Sequence, residues 1–458
     1  MAGEWEDITL GDLGRVVTGK TPLTSVEGNF GGRIPFVTPS DMDGRKTIST
    51  TARFLTQAGA ASVKGSVIPA GAIMVSCIGS DMGKVVVAGC ECVTNQQINS
   101  IVVDDRFSSE FVYYSLSTRK DEIRHQAAGG SAVPILNKGD FSRMEITLPP
   151  LAEQKAIAAV LGALDDKIKC NRRMNATLEA MARALFQSWF IDFDPVRANM
   201  DRNQPSTRPS GHPSPSGRRA GDVNFPLPLP VGEGVGEGAE GLAALFPDSF
   251  QDSALGPIPK GWTAGKLGDI GTNSRRGIQP GDIAPDTPYI ALEHMPRRCI
   301  ALGDWDDSAD VASGKSAFKK GEILFGKLRP YFHKVGVAPF DGVCSTDILV
   351  LAPKSPEWFG FLLGHASSDE LIQFTDLAST GTKMPRTNWS DISSFKVALP
   401  PPPIAAAFTS IIQPMLDRIR ANLHQSRTLA QIRDTLLPKL LSGELSLAEA
   451  ESIMEARS

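Results

Sequence analysis

A chain of 458 residues is too long for a single hydrophobic core, so two or more domains are expected. Its 41% hydrophobic content, with no apolar run long enough to span a bilayer, excludes the membrane-embedded helical class and points to a soluble protein. The net charge of −4 argues against a uniformly basic nucleic-acid binder, though not against a local basic patch or charge lent by a partner.

The start, Met1 to Asp7, is acidic and lacks the apolar core of a signal peptide. The six cysteines (Cys77, Cys90, Cys92, Cys170, Cys299 and Cys344) form no CxxC pair, so neither a disulfide framework nor structural zinc is expected, and the compartment should be a reducing cytoplasm. Residues 1–150 alternate short apolar runs with turn residues, as in the segments 66–79 and 83–88, which predicts a mixed, strand-rich domain. Phe111 to Ala127 reads as one amphipathic helix, stopped by Gly129 and Gly130.

From Ala152 to Ile191 the pattern changes to a heptad. Ile157, Leu161, Leu164, Ile168, Asn171, Asn175, Leu178, Ala182, Leu185 and Trp189 alternate at spacings of four and three, the seam of a coiled coil. Composition then shifts: residues 199–255 are rich in Pro, Gly and Ser and lack periodicity, so a flexible linker is expected there.

After the linker the chain repeats itself. Trp262 to Gly271 mirrors Trp5 to Gly14, Gly321 to Gly326 mirrors Gly71 to Ser76, and Lys334 to Ala338 mirrors Lys84 to Ala88. Leu148-Pro149-Pro150 closes the first block, and Leu399-Pro400-Pro401 closes the second 251 positions later. The same offset carries the heptad onto Phe408, Ile412, Met415, Ile419, Asn422, Ser426, Leu429, Arg433, Leu436 and Leu440, in a helix predicted from Ile404 to Leu441. The obvious partner of one such helix is its copy. Asn171 and Asn422 hold equivalent seam positions, and two readings stand equally: a facing pair that fixes register and orientation at a cost in stability, or a frayed, solvated stretch. Pro414 should kink the second helix or delay its regular part. The expected domains are 1–150, a long helix over 151–198, a linker over 199–258, a second strand-rich domain over 259–402, a long helix over 403–445 and a tail over 446–458. The class is α+β, with two strand-rich heads separated by two long antiparallel coiled-coil helices in a pseudo-twofold arrangement. Two heads held apart suit a long partner touched at two places, with DNA the leading candidate.

Catalytic signatures are missing. There is no [DNS]PP[YFW] motif for amino-methyl transfer, no glycine-rich cofactor loop, no PD…ExK cluster, no HExxH and no GxSxG. Gly14-Arg-Val-Val-Thr-Gly-Lys-Thr21 matches the phosphate-binding loop GxxxxGK[ST] literally. The segment after it, Pro22 to Asn29, is loop-like and not helical, so a turn presenting Lys20 and Thr21 is the better reading. What remains is a set of polar, basic and aromatic residues on expected loops. In the first head these are Lys20, Thr21, Arg33, Ser40, Arg45, Lys46, Ser80, Lys84, Asn95, Gln96 and Gln97. In the second they are Arg275, Arg276, Glu293, His294, Lys327, Arg329, Tyr331, His333, Lys334, Lys383 and Arg386. Arg and Lys suit phosphates and guanine edges, and Asn and Gln suit adenine edges.

With these pieces in order, the chain resembles the specificity subunit of type I restriction-modification systems. The resemblance rests on Leu10-Gly-Asp-Leu-Gly14 with Thr18 to Pro22, Asn95-Gln-Gln-Ile98, Leu148 to Gln154, and Leu185 to Pro195. It rests also on Gly326 to Phe332, Cys344-Ser-Thr-Asp-Ile348, and Arg433 to Leu445. It covers nearly the whole chain apart from the linker. It implies a non-catalytic DNA-binding subunit with two target recognition domains, each reading one half of a bipartite, asymmetric site, with half-sites about one helical turn apart. The long helices would act as spacer and docking surface. Two methyltransferase subunits would carry the S-adenosylmethionine chemistry, and two restriction subunits the ATP- and Mg-dependent translocation and cleavage. No cofactor or metal is expected on this chain. The longer linker and the missing Glu-Gln after Pro400 depart from the family pattern. Two other readings stand beside this one: a protein scaffold joined through its helices, and a nucleotide hydrolase built on Gly14 to Thr21.

Overall fold

A computed structural model describes residues 5–127, 134–203, 241–309, 311–379 and 384–457. The chain divides into two units: Met1–Lys167 with Thr428–Ser458, and Ile168–Arg427. Both are α+β. Among the described residues no helix is long and apolar enough to cross a membrane.

The first unit is built on a five-stranded sheet in the order Gly14–Thr18, Ile98–Val103, Ile73–Ser76, Val85–Ala88, Thr47–Ile48. A four-stranded sheet orders Phe54–Leu55, Phe30–Val37, Cys92–Thr94 and Val67–Ile68. The run Ile73-Met74-Val75 is apolar throughout because the sheet is covered on both faces. Ile73 and Val75 pack toward Leu10, Phe111 and Leu161, whereas Met74 packs toward Val37 and Val86. The second unit repeats this logic with Ile323 and Phe325 on one face and Leu324 on the other. It contains a four-stranded sheet, Gly271–Asn273, Ile348–Pro353, Ile323–Gly326, Val335–Val337, and a five-stranded sheet that begins with Gly277–Ile278.

The repeat is carried into register. Glu6 pairs with Leu148 in one unit and Thr263 with Leu399 in the other, so each Leu-Pro-Pro marks the end of a strand that closes its block. Ile73 pairs with Val87, and Ile323 with Val337.

The long helices run from Leu151 to Phe186 and from Pro402 to Leu441. Part of each falls in each unit. In the first unit Ile157, Leu161 and Leu164 share a core with Ile432, Leu436 and Leu440. In the second unit Leu185, Trp189, Phe408, Ile412, Met415 and Ile419 share another, with Leu178 and Ala182 packed against it. The pairing there is antiparallel: the Phe186 and Phe408 rings lie 6.1 Å apart, and Asn171 Nδ2 donates to Gln425 Oε1 at 2.9 Å. Asn422 is buried and donates to Asn175 Oδ1 at 2.8 Å, and Asn171 also reaches the Asn422 carbonyl at 3.5 Å. The two seam asparagines therefore face each other in a buried polar layer, as register-setting residues would.

Four sequence expectations change. The helix continues through Pro414, because Ile412, Met415 and Leu416 around it are buried and tertiary packing outweighs one missing backbone donor. The segment Phe111 to Ala127 is two helices, Ser109–Ser117 and Lys120–Gln126, with Arg119 leaving helical geometry between them (φ −101°, ψ 25°). The region 199–255 begins and ends in packed structure. Asp194–Asn203 is helical, Asn199 Nδ2 donates to the Ala243 and Phe246 carbonyls, and Phe246 packs edge-on to Trp189. Residues 204–240 of the expected linker lie outside the described residues, as do Gly129 and Gly130. Finally, the missing Glu-Gln is replaced rather than lost. In the first unit Gln154 accepts the Ser108 N–H and donates to the Pro149 carbonyl; in the second, Thr409 accepts the Gly360 N–H and donates to the Glu357 carbonyl.

The aromatic segment from Leu185 to Phe193 is core. Phe186, Trp189 and Phe190 pack on Phe361 and Phe408. A Cβ at Gly364 would meet the Phe186 ring at 2.1 Å, so glycine there is what lets the helix approach.

Candidate nucleic-acid interface

In the first unit the sheet strands deliver several loops to one end. Gly14–Thr18 is a strand, and the backbone beyond it turns along Thr94, with the Lys20 N–H bonded to the Thr94 carbonyl at 2.9 Å. A Cβ at Gly19 would meet the Asn95 carbonyl at 2.0 Å, so this glycine answers to a close backbone crossing. No helix begins after Thr21 among the described residues before the short turn Pro39–Asp41, so the nucleotide-cradling geometry is not formed. Thr21 Oγ1 donates to Gln96 Oε1 at 2.7 Å, and the buried Asn95 holds its own loop by donating to Gln97 Oε1 at 2.9 Å. Lys84 pairs with Asp81 at 2.8 Å and reaches the Pro39 carbonyl, beside Ser40. The Ser80 carbonyl accepts from Arg124, a residue that sequence reasoning did not single out. Lys20, Thr21, Ser40, Ser80, Lys84, Asn95 and Gln96 thus lie on loops joined by hydrogen bonds. Arg33 stands apart, exposed on the strand Phe30–Val37. Arg45 is paired with Asp43. Lys46 is turned to Glu110 and the Tyr114 hydroxyl, so it belongs to the helix face of the sheet.

In the second unit an open cleft of about 660 Å³ is lined by Arg275, Lys327 and Arg386, together with Asn273, Gln279 and Asn388. Three loops build it. Lys327 N–H bonds to the Asp347 carbonyl, Thr387 N–H to the Lys327 carbonyl, and Arg386 lies 3.4 Å from Asp347. Four cations or imidazoles expected at the interface are instead spent on the fold. Arg276 pairs with Glu322 and donates to the Ala317 carbonyl. His294 is buried; its Nδ1 accepts the Ala291 N–H and its Nε2 meets Asp306 at 3.1 Å. His333 is buried, with Nε2 on the Ser367 carbonyl and Asp369 at 3.3 Å; burial first, against the pull of Ser367 and Asp369, lowers its pKa. Lys334 Nζ is tied to the Leu292 carbonyl, and burial and Arg297 lower its pKa. Tyr331 is exposed, at the tip of the short turn Pro330–Phe332. Glu293 lies in the loop beside His294. Lys383 lies outside the described residues.

One distinction sorts these candidates. Lys20, Arg33, Arg275, Lys327 and Arg329 make no ion pair or side-chain hydrogen bond to described residues, whereas Arg45, Lys46, Lys84, Arg276 and Arg386 have acidic partners. An unpaired cation can meet a phosphate or a base edge without first breaking an internal pair. Sequence reasoning also missed Glu179, a buried carboxylate on the first long helix that accepts the Ile300 and Ala301 N–H groups at 3.1 Å and so clasps a loop of the second unit. It lies one position beyond the seam residue Leu178, and nothing in the heptad marks it.

Along most of its length the chain is similar to known proteins. Residues 2–180 match the family model described as "Type I restriction modification DNA specificity domain". The chain is 27% identical to the MjaIX type I restriction enzyme specificity subunit of Methanocaldococcus jannaschii, covering 97% of this chain and 94% of that one. It is 23% identical to the EcoDI specificity subunit of Escherichia coli, covering 97% and 89%. The crystal structure of the S subunit of the type I restriction-modification system from M. genitalium superposes with a TM-score of 0.53 at 15% identity, covering 95% and 96%.

Proposed function

Because the chain belongs to the specificity-subunit family of type I restriction-modification systems, we propose that it reads a bipartite, asymmetric DNA site and directs adenine methylation and restriction by partner subunits. Each unit reads one half-site. The long helices serve as spacer and as docking surface for two methyltransferase and two restriction subunits. Those partners supply the S-adenosylmethionine chemistry and the ATP- and Mg-dependent steps, and this chain supplies recognition without catalysis. The observation that carries the reading is the repeat itself: the same strand register is built twice, and the loops it presents carry different side chains. Two identical heads would read a symmetric site; two different heads call for two different half-sites.

The test is the adenine methylome of a methylation-free host. It would be mapped with this chain and the methyltransferase encoded beside it, and with that methyltransferase alone. A single split motif that depends on this chain is expected, with unlike halves. No new motif, with complex formation shown by co-purification, would leave a scaffold joined through its helices as the surviving reading.

A narrower result is expected for the unpaired lysines. Lys20→Ala and Lys327→Ala should each lower DNA affinity evenly across sequences and reduce the slope of log affinity against log salt by about 1, as loss of one phosphate contact does. Lys334→Ala, whose ammonium is already held by Leu292, should leave that slope unchanged. Titrations at several salt concentrations would check both, and a slope unaltered in Lys20→Ala and Lys327→Ala would remove these residues from the interface.

A further inference from the structure

The loop Lys327 to Lys334 has a backbone counterpart in Cys77 to Lys84, 250 positions earlier. Arg329 N–H bonds to the Pro385 carbonyl, as Gly79 N–H does to Pro134. Leu328 forms an antiparallel bridge with Arg386, as Ile78 does with Ile135. Phe332 N–H closes on the Arg329 carbonyl, as Met82 N–H closes on Gly79. Even the unusual dihedrals coincide. Gly79 and Gly83 have φ of 80° and 84°, and Arg329 and His333 have φ of 50° and 51°.

Glycine adopts this left-handed region freely, whereas a residue with a Cβ is disfavoured there by roughly 1–2 kcal/mol. The second unit therefore holds two side chains at a conformational cost that the first unit avoids. For His333 the return is visible: it is buried, bonded to the Ser367 carbonyl and set against Asp369. For Arg329 the return among the described residues is no more than a distant cation–π contact with Phe332. Its side chain makes no ion pair or hydrogen bond to them, its Nε is buried without a partner, and its ring neighbour there is Phe332 at 5.9 Å. An unpartnered buried guanidine nitrogen costs free energy unless a ligand repays it. Phosphate neutralisation needs only a flexible cation, and the unpaired Lys327 on the same loop already offers one. A guanidinium is a planar fork, which suits two acceptors at a set spacing.

Resting on the reading that each unit recognises a half-site, we propose that Arg329 is a base-reading residue of the second unit and takes a guanine, donating to its O6 and N7 in the major groove. The first unit has no equivalent, since Gly79 occupies that place.

The experiment is the methylome of the intact complex carrying Arg329→Gly or Arg329→Lys, beside wild type, with thermal melts of each purified complex. Glycine suits the backbone as Gly79 does, so Arg329→Gly should melt no lower than wild type. One guanine position, in one half-site only, should become degenerate in Arg329→Gly, with discrimination there falling roughly ten- to a hundredfold. Arg329→Lys keeps the charge but loses the fork, and should relax the same position. The other half-site and the spacer should not change. A half-site without guanine on either strand, a motif unchanged in Arg329→Gly, or an even loss of methylation without relaxed specificity would overturn the assignment while leaving the bipartite reading intact. A wild-type complex that yields no split motif would overturn both.

Discussion

Asp165→Ala should destabilise the first unit by about 1–3 kcal/mol, between the small loss of an exposed ion pair and the larger loss of a buried one. Asp165 accepts from Arg433 Nη1 and from the Tyr114 hydroxyl, both at 2.7 Å, and its side chain is 16% exposed against 29% for Arg433. Burial works against the Arg433 charge, and the bonds to Asp165 and Asp434 more than restore it, leaving its pKa raised. Burial, and then the bond to Asp165, pushes the Tyr114 phenol up, so it stays a donor. Without Asp165 the guanidinium would keep only Asp434, which is 62% exposed and screened by solvent. The repeat offers a control. The positions 251 removed from Asp165 and Arg433 are Leu416 and Ala182, so the second unit fills the same places with apolar side chains. The double substitution Asp165→Leu/Arg433→Ala should therefore recover most of the stability lost in Asp165→Ala, as apolar replacements of buried pairs often do. Denaturant unfolding of the full chain would measure the cycle. Asp165→Ala within about 0.5 kcal/mol of wild type, the range of ordinary surface changes, would show that the pair is not structurally coupled.

The repeat was legible in the sequence to an uneven degree. Heptad spacing placed most of the seam from Ile157 to Trp189, because periodicity sets which face of a long helix is covered, although Leu178 and Ala182 are only partly buried and Glu179 is buried beside them. The closing Leu-Pro-Pro of each block was legible too, since proline must end a strand within a ladder. Pro414 does not delay the helix, because local propensity is a weak prior against a packed helix face. The split of Phe111 to Ala127 carried no Gly or Pro signal. In the candidate interface, residue type separated almost nothing. Lys327 and Lys334 are both lysines of one loop, yet the first is unpaired and the second is held by Leu292, and that difference lies in a contact 42 residues away. His294 and His333, candidates by residue type on expected loops, are buried by contacts equally invisible in the sequence around them. The left-handed backbone at Arg329 was invisible in the second copy alone, but the glycines at 79 and 83 were a signal for it in the first.

Lowering the pH from 7 to 5 should cost the second unit about 2 kcal/mol, from one pKa unit being worth 1.36 kcal/mol. His365 is buried against Phe186, Phe361 and Phe395, with ring centroids at 4.8, 4.5 and 6.1 Å, and burial alone pushes its pKa down to about 3. Once unfolded it returns to about 6.5. Between those values the unfolded chain binds a proton that the folded unit refuses. Stability is therefore complete above about 6.5 and is lost progressively as the pH falls toward 3. His333, also lowered chiefly by burial, adds to the loss in the same direction. The first unit contains one histidine among its described residues, the exposed His125, so it has no comparable liability. Melting of the full chain should show the second unit's transition falling by roughly 4–8 °C between pH 7 and 5, given the usual 2–4 °C per kcal/mol for a unit of this size. His365→Leu should flatten most of the dependence, with the His333 contribution remaining. A transition of the wild-type second unit that does not move over this range would mean that the imidazole is hydrated in solution. Because the two units carry different half-sites in the proposed function, acid should also be felt unequally on DNA: protection of the half-site read by the second unit should fade first.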